Sequence, residues 1–236
     1  MNVLQPSPHR TESPLTSWIP GPMLDRRRRI VVGVLASLAV ALLLLSIRFP
    51  YWNVTLKAPQ YPQGLHLQVY VNHVEGDAFE IDLLNHYIGM EKIENAARLE
   101  RSVALYALAI ISVLTLLFLF SSRKVMSLLA LPALLFPLAF VADLFYWLYR
   151  FGHNLDPHAP IEFPPFTPHI LGEGKIGQFS TVGSFGLGFY LALGATVLIL
   201  AALVVRFMVC NKCPYKDRCS VTCPYLFFWS PPEYRS

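Results

Sequence analysis

Two sets of side chains in this chain could do chemistry, one built on imidazole and thioether, the other on thiolate. His66, His73, His86, His153, His158 and His169 all lie between apolar runs, and His9 alone stands near the amino end. In LNHYIGM, His86 and Met90 are four residues apart, so a helix there puts them on one face. Imidazole serves either oxidation state of copper and a thioether favours Cu(I), so this pair predicts a copper site completed by His153, His158 and His169. The competing reading of a His and Met pair is haem, but C-x-x-C-H is absent and no histidine falls inside an apolar run. The bland reading is an interfacial surface, on which histidine is common and Met90 packs as core. At the other end, Cys210, Cys213, Cys219 and Cys223 fall within fourteen residues and are followed by Pro224. Four thiolates so spaced can enclose an iron–sulfur cluster or a Zn2+ and hold together a segment too short for its own core, or they can remain free thiols.

The elements that must position these residues belong in lipid. Of the 236 residues, 54% are hydrophobic and 14% charged, with a mean hydropathy of +0.45. That composition argues against a soluble enzyme, and a net charge of only +4 argues against disorder. Crossing a hydrocarbon core of about 30 Å takes roughly 20 apolar residues. Four stretches qualify, residues 30–47, 102–120, 125–149 and 185–207. The first follows Arg26, Arg27, Arg28 and Arg29 and lacks a small-residue cleavage site, so it reads as a retained helix and not a signal peptide. The third contains Pro132 and Pro137, which predict a kink, and ends in the aromatic run FYWLY suited to the headgroup level. Gly186, Gly188 and Gly194 give the fourth a face for close packing.

Basic residues set the sidedness. With both termini cytoplasmic, the inner segments carry twelve of the nineteen Lys and Arg, among them the four-arginine run, Arg123, Lys124 and Arg206. The expected architecture is thus an integral membrane, mainly α protein with four spans, a cytoplasmic tail at 1–29 and a cytoplasmic cysteine-rich tail at 208–236. Residues 49–101 form a small α+β extracytoplasmic domain, and residues 150–184 an irregular proline-rich loop. In LHLQVYVNHV apolar residues alternate with polar ones, which predicts a strand. A turn at Glu75, Gly76 and Asp77 then returns AFEI as a second strand, and Asp82 caps a helix through LLNHYIGM. Asp143, about two turns inside the third span, either relays protons or guides a cation, or more simply snorkels or pairs with Arg150.

The segments KAPQYPQGLHLQVYV, EIDLLNHYIGM and FGHNLDPHAPIEFPPFTPHILGEGKIGQFST carry a resemblance. They resemble a family of small bacterial membrane proteins that tend to be encoded with nitrous-oxide reductase and its copper-delivery factors, over roughly residues 49–190. The resemblance implies a place in the cytoplasmic membrane and a role in copper handling or respiratory-enzyme maturation, with His86, Met90 and His153 at matching positions. The cysteine run is separately similar to the bacterial ferredoxin pattern C-x2-C-x2-C-x3-C-P, with three extra residues in its middle gap.

The leading expectation is a non-enzymatic accessory protein that binds copper outside and passes it to a periplasmic cuproenzyme or copper chaperone. A membrane electron-transfer component with an iron–sulfur cluster and a scaffold with a zinc-binding tail are the alternatives. G-x-S-x-G, the P-loop and H-E-x-x-H are all missing, and the basic residues flank spans instead of forming a nucleic-acid stripe, so membrane lipid and not nucleic acid is the expected surrounding.

Overall fold

The computed structural model describes residues 26–120, 123–161, 164–176 and 178–211. In chain order these form α1 (Arg26–Ser46), β1 (Trp52–Ala58), β2 (Tyr61–Val69), β3 (Val74–Gly76), α2 (Ala78–Ile88), α3 (Arg98–Leu117), α4 (Arg123–His153), β4 (Gly172–Ile176), β5 (Phe179–Phe185) and α5 (Leu187–Asn211). Three helical segments, residues 98–120, 127–153 and 187–208, are long and apolar enough to cross a membrane. The apolar part of α1, Ile30–Ser46, is shorter. The described chain is thus mainly helical, with three helices that could span a membrane and one small sheet.

The long helices pack through small residues. α1 lies against α5 and α3, and α4 against α5 and α3. Ala36 and Ala39 of α1, Ala130 and Ala133 of α4, and Ala192, Ala195 and Ala202 of α5 are completely buried where these helices meet. Short side chains let helix axes approach where lipid supplies no hydrophobic drive between helices. Thr196 adds a link across the seam, its hydroxyl donating to the Ala133 carbonyl at 3.2 Å. α4 continues through Pro132 and Pro137 as one helix of 31 residues, since neighbouring helices shield the backbone groups that a proline frees. At the end of the bundle away from the sheet, the buried Arg206 of α5 donates to the carbonyls of Phe118 and Leu119 at 3.0 and 2.7 Å. A cation at the carbonyl end of α3 opposes the helix dipole and satisfies acceptors that the helix leaves open.

Both loops on the other side of the bundle enter a single antiparallel sheet of order β3-β2-β1-β5-β4. The strand expected in LHLQVYVNHV exists as β2, but starts at Tyr61 and ends at Val69. Three expectations need correction. AFEI is not a strand: Ala78 opens α2, because the Asp77 N–H bonds the His66 carbonyl (2.8 Å), the Asp77 carbonyl receives the first helical bond from Ile81 (3.1 Å), and the buried Ile81 packs on Leu65 and Leu67. Asp82 does not cap that helix; its Oδ1 accepts the Ile93 N–H at 2.7 Å, holding the turn beyond it. Residues 150–184 are not wholly irregular either, because they contain β4 and all but the last residue of β5, which pairs along β1 from Trp52↔Phe185 to Lys57↔Ser180.

The joint between sheet and bundle is tight on the α1 and α5 side. Gly186 and Gly188 donate to the Tyr51 and Pro50 carbonyls, each at 2.9 Å. A Cβ on Gly186 would sit 2.1 Å from the Pro50 oxygen, and one on Gly188 would sit 2.4 Å from the Phe49 oxygen. These glycines therefore admit backbone to backbone and not helix to helix, whereas Gly194 makes only ordinary contact with Leu42. Tyr51, fully buried, turns back into the bundle, where its hydroxyl meets Ser46 Oγ at 2.6 Å and its ring packs on Phe136 and Phe140.

Candidate functional site

The LNHYIGM segment is the carboxyl end of α2. The Gly89 N–H bonds the His86 carbonyl and the Met90 N–H bonds the Asn85 carbonyl, with Gly89 at φ 74°, which together make a Schellman cap. Glycine adopts that left-handed conformation without a Cβ penalty. A Cβ here would also come within 2.9 Å of the Asp156 backbone. The cap is a docking point: the Asp156 N–H bonds the Gly89 carbonyl at 2.8 Å, and the Ile161 N–H bonds the Tyr87 carbonyl at 3.1 Å. The proline-rich loop is thus fastened to α2 by its backbone. Arg150 adds an ion pair to Glu91 at 3.7 Å, and its guanidinium lies 5.2 Å from the centre of the Trp147 ring.

This cap separates His86 from Met90. His86 is exposed on the last turn of α2, while Met90, past the glycine, lines a cavity beneath the sheet. The shared helical face expected for the pair does not form, because the helix stops at Ile88. His153 ends α4 with its ring stacked on Tyr149 at 3.9 Å, and its Nδ1–H donates to the Tyr149 carbonyl at 3.0 Å. His169 lies beside β4 and lines the same cavity as Met90.

One carboxylate is bonded to one of the expected ligands. The His158 N–H donates to Asp156 Oδ1 at 2.9 Å, and its ring Nδ1 lies 3.4 Å from the same oxygen. These contacts hold the Asp156 carboxyl below its usual range; the backbone bond from His158 contributes most, and the charge of His86 acts in the same direction. Asp156 and His158 are exposed on the loop that docks at the α2 cap, the end of the helix that carries His86. Among the described residues no three His, Cys, Asp or Glu side chains already converge as a metal shell.

The remaining outer histidines are engaged elsewhere. His66 Nδ1 meets Thr55 Oγ1 at 3.1 Å, and His73 stacks on Tyr70 while facing Asn72 and Glu75. Of the inner set, Cys210 falls in the last turn of α5, and Cys213, Cys219 and Cys223 lie outside the described residues. Asp143 takes neither Arg150, which reaches Glu91, nor a purely interfacial position; it lines the cavity with Glu100 and Trp147. Sequence reasoning passed over Glu100 and Trp147. Their signal was an acid at the start of one apolar helix facing an acid near the end of the next.

No family model matches the chain, and no curated protein matches it.

Proposed function

We propose that the chain is a non-enzymatic accessory protein of the bacterial cytoplasmic membrane that takes up copper on its outward face and passes it to a periplasmic cuproenzyme, such as nitrous-oxide reductase, or to its chaperone. In this reading α1 is the fourth span. Its apolar part, Ile30–Ser46, reaches about 25 Å at 1.5 Å per residue, and the arginines before it hold both termini in the cytoplasm. The sheet then stands outside.

The observation that carries the copper reading is that His158 is bonded to Asp156 on the loop that docks beside the turn carrying His86. Both imidazoles are exposed. Imidazole and carboxylate donors suit Cu(II), and imidazole also serves Cu(I). The resemblance of the APQYP-GL and LNHYIGM segments points to the same role. Met90, His153 and His169 have other surroundings, so the proposed site is smaller than the five ligands that the spacing suggests.

The test is copper titration of the full chain. His86→Ala with His158→Ala should weaken binding at least tenfold, while Met90→Ala with His169→Ala should leave it near the wild-type value. Equal affinity in all three proteins would sink the proposal. On the inner face, the spacing of Cys210, Cys213, Cys219 and Cys223 supports a second metal, an iron–sulfur cluster or zinc, after α5. Visible absorbance from thiolate and iron separates a cluster from colourless zinc.

A further inference from the structure

The packing that closes the joint on the α1 and α5 side is missing on the α3 and α4 side. A cavity of about 460 Å3 lies between the sheet, α2 and the neighbouring ends of α3 and α4. That volume falls in the range of small-ligand sites, about 300–1,000 Å3. Its walls are mostly apolar, with Trp52, Leu67, Ile88 and Phe140 among them. Val103, Ala107 and Ala139 line it and are exposed, so it opens between α3 and α4, two helices apolar enough to lie in lipid. An occupant that enters there comes from the bilayer and not from water.

The polar groups in the cavity restrict the head of that occupant. Trp147 Nε1 is buried without a hydrogen-bond partner. Asp143 is its near neighbour and also feels the Glu100 carboxylate. The Arg101 guanidinium is already bonded to the Glu94 carbonyl at 2.6 Å. An unpaired buried donor is costly and calls for an acceptor. Two carboxylates repel a phosphate or a fatty-acid head, and an ammonium head would satisfy them while leaving the indole N–H unpaired.

We infer that this cavity binds an uncharged, hydroxyl-bearing amphiphile drawn from the bilayer, its tail along the apolar walls and its head oxygen accepting from Trp147 Nε1 while its hydroxyl donates to Asp143 or Glu100. Such chemistry is offered by a tailed hydroquinone or by a monoacylglycerol. The inference stands apart from the copper reading, and neither depends on the other.

The test uses the full chain in detergent, titrated with a decyl-tailed benzohydroquinone, with monoolein and, as the anionic counterpart, with oleate, following the ligand-induced rise in melting temperature. At least one neutral probe should saturate, oleate should bind at least tenfold more weakly, and Trp147→Phe should weaken the neutral probe about tenfold. Which neutral probe binds identifies the source. Should Trp147→Phe not fold, Asp143→Asn is read in its place and should both weaken the neutral probe and narrow the gap to oleate. Absence of saturable neutral binding, equal binding of oleate, or a variant indistinguishable from wild type would overturn the inference.

Discussion

The sheet meets the helices along two seams that differ in kind. On the α1 and α5 side, backbone lies on backbone: Gly186 and Gly188 abut residues 49–51, and Tyr51 fills the bundle behind them. On the α3 and α4 side the same sheet stands off, leaving a cavity with an unpaired indole N–H and two carboxylates. Connectivity explains the contrast. β1 follows α1 after five residues and α5 follows β5 after one, so these strands and helices are forced into contact. α3 and α4 reach the sheet only through the α2 segment and the loop that docks on it. Stability is concentrated in the first seam, and room for a ligand in the second.

The largest expected effect comes from breaking the tight seam. Gly188→Ala places a Cβ against the Phe49 oxygen and the Tyr51 ring, and should cost about 3 kcal/mol or more, read as a fall in melting temperature in detergent. Tyr51→Phe ranks next. It removes the bond to Ser46 and should cost about 1 kcal/mol near neutral pH. It should also change the alkaline response. Burial pushes the Tyr51 hydroxyl up to about 12, against a lowering contribution from Ser46. A phenol raised in the folded state contributes its full stability below pH 10, and that contribution is lost as pH rises from 10 through 12. Melting midpoints across that window should fall more steeply for wild type than for Tyr51→Phe. The smallest effect belongs to the open seam: Ala104→Leu adds volume to the cavity wall and should shift stability by less than about 1 kcal/mol. A loss as large as that of Gly188→Ala would erase the distinction between the seams.

Much of this arrangement was legible in the sequence. The apolar runs gave α3, α4 and α5 to within a few residues of their ends, and the alternation in LHLQVYV gave the body of β2. What escaped detection depends on partners distant in the chain. β5 reads as a glycine-dotted loop until β1, more than 120 residues earlier, is set beside it. AFEI alternates as a strand would, and only the packing of Ile81 on β2 settles it as helix. In the candidate site the missed signal was local, since a glycine directly after a helical run marks a cap, and Gly89 therefore ends the face that His86 and Met90 were expected to share. The approach of His158 and Asp156 to the α2 cap needs the docked loop, which spacing alone does not reveal.

The most direct test of the central claim is electron paramagnetic resonance of the intact protein loaded with one equivalent of Cu(II). The expected spectrum shows nitrogen couplings from two imidazoles, reduced to one in His158→Ala and in His86→Ala. A spectrum without nitrogen coupling, or one unchanged by either substitution, would contradict a copper site built on His86, Asp156 and His158.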